Sequence, residues 1–143
     1  MSTQAKTVAA LIALAFALAA TAARAQSLTG DWRASAHGVA YDLQVADDGA
    51  FDEHQQVGHV TSEQRGQIRQ SAPDTVEFVV EDWDPKVEHA YERESASGGG
   101  LYVEQSVPKP DGGVWRLTFN GADSFTLTGL KRGGNVLTFK RKP

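Results

Sequence analysis

Cysteine is missing from all 143 residues. Its absence excludes disulfide staples, thiol nucleophiles, cysteine-ligated zinc or iron–sulfur centres, and the lipid-modified cysteine of a bacterial lipoprotein. Basic residues are scarce as well: 14 Lys and Arg stand against 18 Asp and Glu, a formal net charge of −4. A balance of that sign argues against nucleic acid as a partner, since phosphate backbones reward a basic stripe. No serine sits in a Gly-x-Ser-x-Gly elbow. The glycine runs "SGGG" and "RGGN" lack the Lys-Ser/Thr and the following helix of a phosphate-binding loop. Enzymatic chemistry is therefore not expected, and no cofactor is implied.

Long hydrophobic runs are limited to one. Val8–Ala20 is unbroken for 13 residues, short of the roughly 18–20 that span a bilayer. Lys6 precedes it and Ala23-Arg24-Ala25 follows it as a small-x-small cleavage site, the pattern of a secretion signal. Residues 1–25 are thus expected to be a signal peptide and 26–143 the folded domain, periplasmic or secreted, with no transmembrane segment in the mature chain. Removing Lys6 and Arg24 lowers the basic count from 14 to 12 and takes the net charge to −6.

Helical periodicity is absent after the signal. In its place, strand-length segments alternate apolar and polar residues. Val39, Tyr41, Leu43 and Val45 share one face, and Val76, Phe78 and Val80 another, with charged or polar side chains between them. "DDG" at 47–49 reads as a hairpin turn, Gly58 as a bulge or corner, and "SAPD" at 71–74 as a turn. "GQIRQ" at 66–70 is a weaker strand, "ESASGGG" at 94–100 has the composition of a flexible linker, and "PKPDGG" reads as an exposed loop. The final segments align Trp115, Leu117 and Phe119, then Phe125 and Leu127, then Leu137 and Phe139. Short strands at intervals of about 8–12 residues predict an all-β antiparallel barrel of about eight strands, with a sandwich as the alternative. Closure is preferred because it removes exposed edges.

Gly30-Asp31-Trp32, at the first strand of such a meander, is similar to the motif of the lipocalins and of small lipocalin-like proteins exported by Gram-negative bacteria. The resemblance implies an up-and-down barrel whose first-strand tryptophan packs across the closed end. It further implies a basic side chain from a late strand over that ring: Arg132, Lys140 or Arg141.

Two functional readings follow. Trp32, Tyr41, Phe78, Trp115 and Phe119 fall on apolar strand faces and would line an interior site for a small hydrophobic ligand. The same rings, with Phe51, Phe125 and Phe139, would equally serve a filled core. The rival reading is a module that binds through its surface, such as a protease inhibitor or envelope-protein partner, with contacts at 94–100 and 107–113.

Two clusters carry metal or acid–base potential. Asp52 and His54 share a strand face, with His59 nearby, an oxygen–imidazole pair suited to a divalent ion. The alternation puts that face in solvent. Glu81, Asp82, Asp84, Glu88 and His89 surround Trp83, and the bland reading is a charged, solvated turn.

Overall fold

The computed structural model describes residues 27–93, 98–131 and 133–143; the expected signal peptide, residues 94–97 of the segment expected as a flexible contact loop, and Arg132 lie outside them. Ten strands form, and no helix occurs among the described residues. They are β1 (Gly30–Ala36), β2 (Val39–Val45), β3 (Ala50–Val57), β4 (Val60–Ala72), β5 (Thr75–Asp84), β6 (Val87–Arg93), β7 (Gly100–Ser106), β8 (Val114–Phe119), β9 (Ser124–Gly129) and β10 (Val136–Arg141). Eight close into an antiparallel barrel in the order β1-β10-β9-β8-β5-β4-β3-β2, and β6 and β7 form a separate hairpin between β5 and β8. The expected all-β antiparallel barrel is present, closed by β1 pairing with β10.

Alternation explains which side chains fill it. Successive residues of a strand point to opposite faces, so Leu43, Val45, Phe51, Val76, Phe78, Val80, Phe125, Leu127, Leu137 and Phe139 are buried while their neighbours face out. The lower half, where β1 begins and β10 ends, is packed along its axis by aromatic rings, with an open depression of about 640 Å³ at its rim beside Leu28, Ile68, Leu117 and Phe119. Trp32 is fully buried and meets the edge of Phe125 at 4.6 Å between centroids. Phe125 in turn stacks on Phe139 at 5.1 Å.

Arg141 closes that end. Its guanidinium lies 4.2 Å over the Trp32 ring. Nη1 donates to Thr29 O at 3.2 Å, Nη2 to Ala122 O at 3.0 Å, and Nε to Asp123 Oδ1 at 3.2 Å. Of the basic residues the resemblance offered, Arg141 takes the position; Lys140 is exposed on the outer face opposite Arg33. The glycine of Gly-x-Trp has a physical cause here. Gly30 adopts φ +133°, and a Cβ on it would sit 2.3 Å from Arg141 Nη1. A side chain at position 30 would push the cation off the indole. Arg141→Leu is expected to lower stability by about 1–2 kcal/mol, the upper range for a partly desolvated cation–π pair. The check is a lower urea midpoint at unchanged slope.

A β-bulge shapes the other half. The β4–β5 register passes from Gly66↔Val80 to Arg65↔Asp82, leaving Glu81 as the extra residue. The slip flips the phase of β5. Below it Val76, Phe78 and Val80 point inward; above it Trp83 stands opposite Gln64. Gly66 permits the close approach, since a Cβ there would lie 1.8 Å from Val79 O. Gly58, expected as a bulge or a corner, lies in the tight turn between Val57 and Val60; the bulge of this half is at Gly66. The weak strand expected at 66–70 is in fact the 13-residue β4, extended upward through "VTSEQR".

Candidate functional site

The upper half of the barrel is not filled. A recess of about 210 Å³ is walled by Tyr41, Glu53, Gln64, Phe78, Trp115 and Leu137, among others, from strands all round the barrel, and by Pro110–Gly112 of the β7–β8 loop. A second recess of about 200 Å³ adjoins it toward Trp83, Asp84 and Val107, sharing Glu53, Gln55, Gln64 and Pro110 as walls. The loop at 107–113 is fastened over this end rather than free. Val107 O accepts from Trp83 Nε1 at 3.0 Å, Gly113 O accepts from Phe78 N at 3.0 Å, and Asp111 is bonded by Lys131 at 2.8 Å.

Glu53 stands at the junction of the two recesses. It is the buried charged residue of the core, 7% exposed. Its position follows from β3: Phe51 points inward, so Glu53 and Gln55, two and four residues on, point inward too. Register places Leu43 and Gln64 on either side of it. Gln55 Nε2 donates to Glu53 Oε1 at 2.7 Å and Gln64 Nε2 donates to the same oxygen at 2.8 Å. Burial raises the carboxyl above its ordinary value, while the two amide bonds pull the other way. Burial, and secondly the Glu53 charge, raises the Tyr41 phenol.

No family model, curated protein or solved structure matches this chain.

Function must therefore be argued from the side chains themselves. Of the five residues expected to line a ligand site, Tyr41, Phe78 and Trp115 come together around the upper recess. Trp32 does not join them; it is consumed by the packed end. Phe119 lies at the lower rim, beside Leu28, Leu117 and Ile68, in a separate open depression. Glu53, Gln55 and Gln64 were not among the expected lining residues. The signal for Glu53 was present: it shares the inward phase of Phe51. A charged residue in an apolar phase is the informative case.

The metal-type cluster gains a member. His54 Nε2 lies 3.4 Å from Asp52 Oδ1 and 3.9 Å from Glu63 Oε1, the latter contributed by the cross-strand neighbour on β4. These ligand atoms are grouped within 4.8 Å, a spacing that one divalent ion can bridge. Arg65 Nε, 3.5 Å from the same Glu63 oxygen, competes for that carboxylate. His59 sits apart in the β3–β4 turn. The acidic group around Trp83 is dispersed. A hydrogen bond from Lys86 holds Asp82 below the usual carboxylate range, Arg65 pairs with it from β4, and Glu88 and His89 belong to the separate hairpin. That arrangement is an ion-paired turn.

The raised Glu53 carboxyl makes a signed prediction. The folded state takes up the proton more readily than the unfolded chain. Stability is therefore greatest below the ordinary glutamate value of 4.5 and declines as pH rises from there through the folded value. Glu53→Gln keeps an oxygen for Gln55 and Gln64 and removes the charge. It is expected to match the parent in acid and to exceed it in stability by about 1–3 kcal/mol in mild alkali. Urea midpoints across that pH range give the comparison, and parallel curves would contradict the assignment.

Proposed function

We propose that this chain is an exported, lipocalin-like barrel that acts without catalysis, by holding a small, largely apolar ligand in its upper half. The observation carrying this reading is the contrast between the two ends. One is plugged by Trp32, Phe125, Phe139 and Arg141, outside which lies an open depression at the rim, while the other leaves recesses between the strands, walled by aromatic rings and a few convergent polar groups. That combination is the general form of a small-molecule site. Each recess is smaller than the roughly 300–1,000 Å³ of drug-sized sites, so the ligand is small. The 13-residue apolar run before a small-x-small cleavage site supports export.

Native mass spectrometry of protein purified from its natural envelope tests the reading. A defined mass above that of the chain, released on denaturation, is the expected result. An unliganded mass in every preparation would overturn it.

The β6–β7 hairpin favours a second reading, recognition of an envelope protein through the surface. Among the described residues, its strands pair with each other and with no strand of the barrel. They expose Tyr91 at 58% and Tyr102 at 72%, the two rings packed edge to face at 5.5 Å. A two-stranded hairpin carrying exposed aromatics is poorly stable alone, and contact with a partner would cover it. A capture experiment from envelope extract would lose its partner on Tyr102→Ser if this reading holds, and retain it if not.

A further inference from the structure

The upper recess has a one-sided chemistry. Acidic residues line the two adjoining recesses: Glu53 on β3 belongs to both, Asp111 of the β7–β8 loop to the first, and Glu63 on β4 with its cross-strand neighbour Asp84 on β5 to the rim of the second. Among the described residues, no Lys, Arg or His lines either recess. Two of these acids are already compensated from outside, Asp111 by Lys131 and Glu63 by Arg65. Glu53, the most buried of the four, has no cation within ion-pair distance among the described residues. Both amide bonds to it end on Oε1, and Oε2 accepts no hydrogen bond among those residues.

A buried carboxylate in this condition is costly. Charges removed from water are normally paired, and a neutral or apolar side chain of similar volume is often as stable or more so. Nothing in the barrel's closure requires a charge at position 53, because the packed half lies below it. The missing counter-charge is supplied most simply by whatever enters the recess. Its walls suit a cation for a second reason: Tyr41, Phe78 and Trp115 line it, and aromatic ring faces attract cations, tryptophan most strongly; the Trp83 ring of the adjoining recess already carries Lys86 Nζ at 4.2 Å. An anion would meet the Glu53 carboxylate, and no Lys, Arg or His among the described residues lines the recess to offset it.

We infer that the ligand of the upper recess is a small organic ammonium ion, whose N–H donates to Glu53 Oε2 while its apolar portion packs against Tyr41, Phe78 and Trp115. This inference rests on the ligand-binding reading above and adds the chemical class. Burial raises the Glu53 carboxyl, and an entering cation acts against that rise by favouring the ionised form.

The test uses two probes of nearly equal shape, benzylamine, which is protonated near neutral pH, and benzyl alcohol, which is neutral. Each is titrated calorimetrically into the purified protein at low ionic strength. Benzylamine is expected to bind about tenfold more tightly or better, since a charge-assisted hydrogen bond is about twice as strong as a neutral one. In Glu53→Gln the preference is expected to vanish, with benzyl alcohol affinity changed less than about twofold, while circular dichroism and urea melts show the barrel intact. Asp84→Asn, at the rim, controls for general charge and should retain most of the preference. If both probes bind equally to the parent, or the preference survives in Glu53→Gln, the ammonium inference falls and the ligand-binding reading stands. If neither probe binds, both fall.

Discussion

Trp32→Ala is expected to destabilise the barrel by about 3–5 kcal/mol, the range for removing a large aromatic from a packed core. The side chain is fully buried, so the full transfer free energy of the indole is lost. The cavity left behind has little room to collapse, because Phe125, Phe139 and Leu43 are held by closed strands on every side. Three specific contacts vanish with it: the edge-to-face packing on Phe125, the Arg141 cation over the ring, and the bond from Nε1 to Leu28 O at 2.6 Å. Folded domains of this size are stable by about 5–15 kcal/mol, so a large fraction is removed by one substitution. Trp32→Phe should fall between, keeping ring packing while leaving Leu28 O without its donor. Equilibrium urea unfolding provides the measurement, and a loss below 1 kcal/mol for the alanine variant would show that the closed end is not built on this residue.

Gly66→Ala should be the second most damaging change, at about 3 kcal/mol, the upper end for overpacking a core. The added Cβ would meet backbone, 1.8 Å from Val79 O and 2.9 Å from Val79 C, and no rotamer change relieves that. Relief requires β4 and β5 to separate at the bulge. Because the bulge sets the phase of everything above it, Gln64 and Trp83 would lose their inward aim and Glu53 one of its two donors. Because the Gln64 bond pulls the Glu53 carboxyl down, its loss is expected to steepen the fall of stability with rising pH, together with a change in near-UV circular dichroism from Trp83. Gly99→Ala, where a Cβ meets nothing within 4 Å, serves as the neutral comparison.

Strand alternation was legible wherever one face is apolar and the other wet. Residues 39–45, 75–80, 124–129 and 136–141 carry that pattern, and each forms the strand and face it implies. The upper part of β4 was not legible for the reason that makes the site. Its inward residue there, Gln64, is polar because it serves a buried carboxylate, so the apolar phase that marks a half-buried strand is missing. Glu53 was hidden differently. It lies in a run of acids and histidines, "DDGAFDEHQQVGH", whose bulk reads as a solvated surface, and only its phase relative to Phe51 separates it from Asp52 and His54.

The sequence by itself determined the fold class, the inward rings and the tryptophan marking the first strand, because these depend on a period of two and on local turn chemistry. The tertiary structure decided which rings meet. It committed Trp32 to the closed end and left Tyr41, Phe78 and Trp115 around an opening. It also chose Arg141 among the basic residues of the C-terminal segment and brought Gln64 from β4 to Glu53 on β3. These outcomes depend on register between strands and on a single bulged residue, and register is a property of pairs of strands that no one segment of sequence contains.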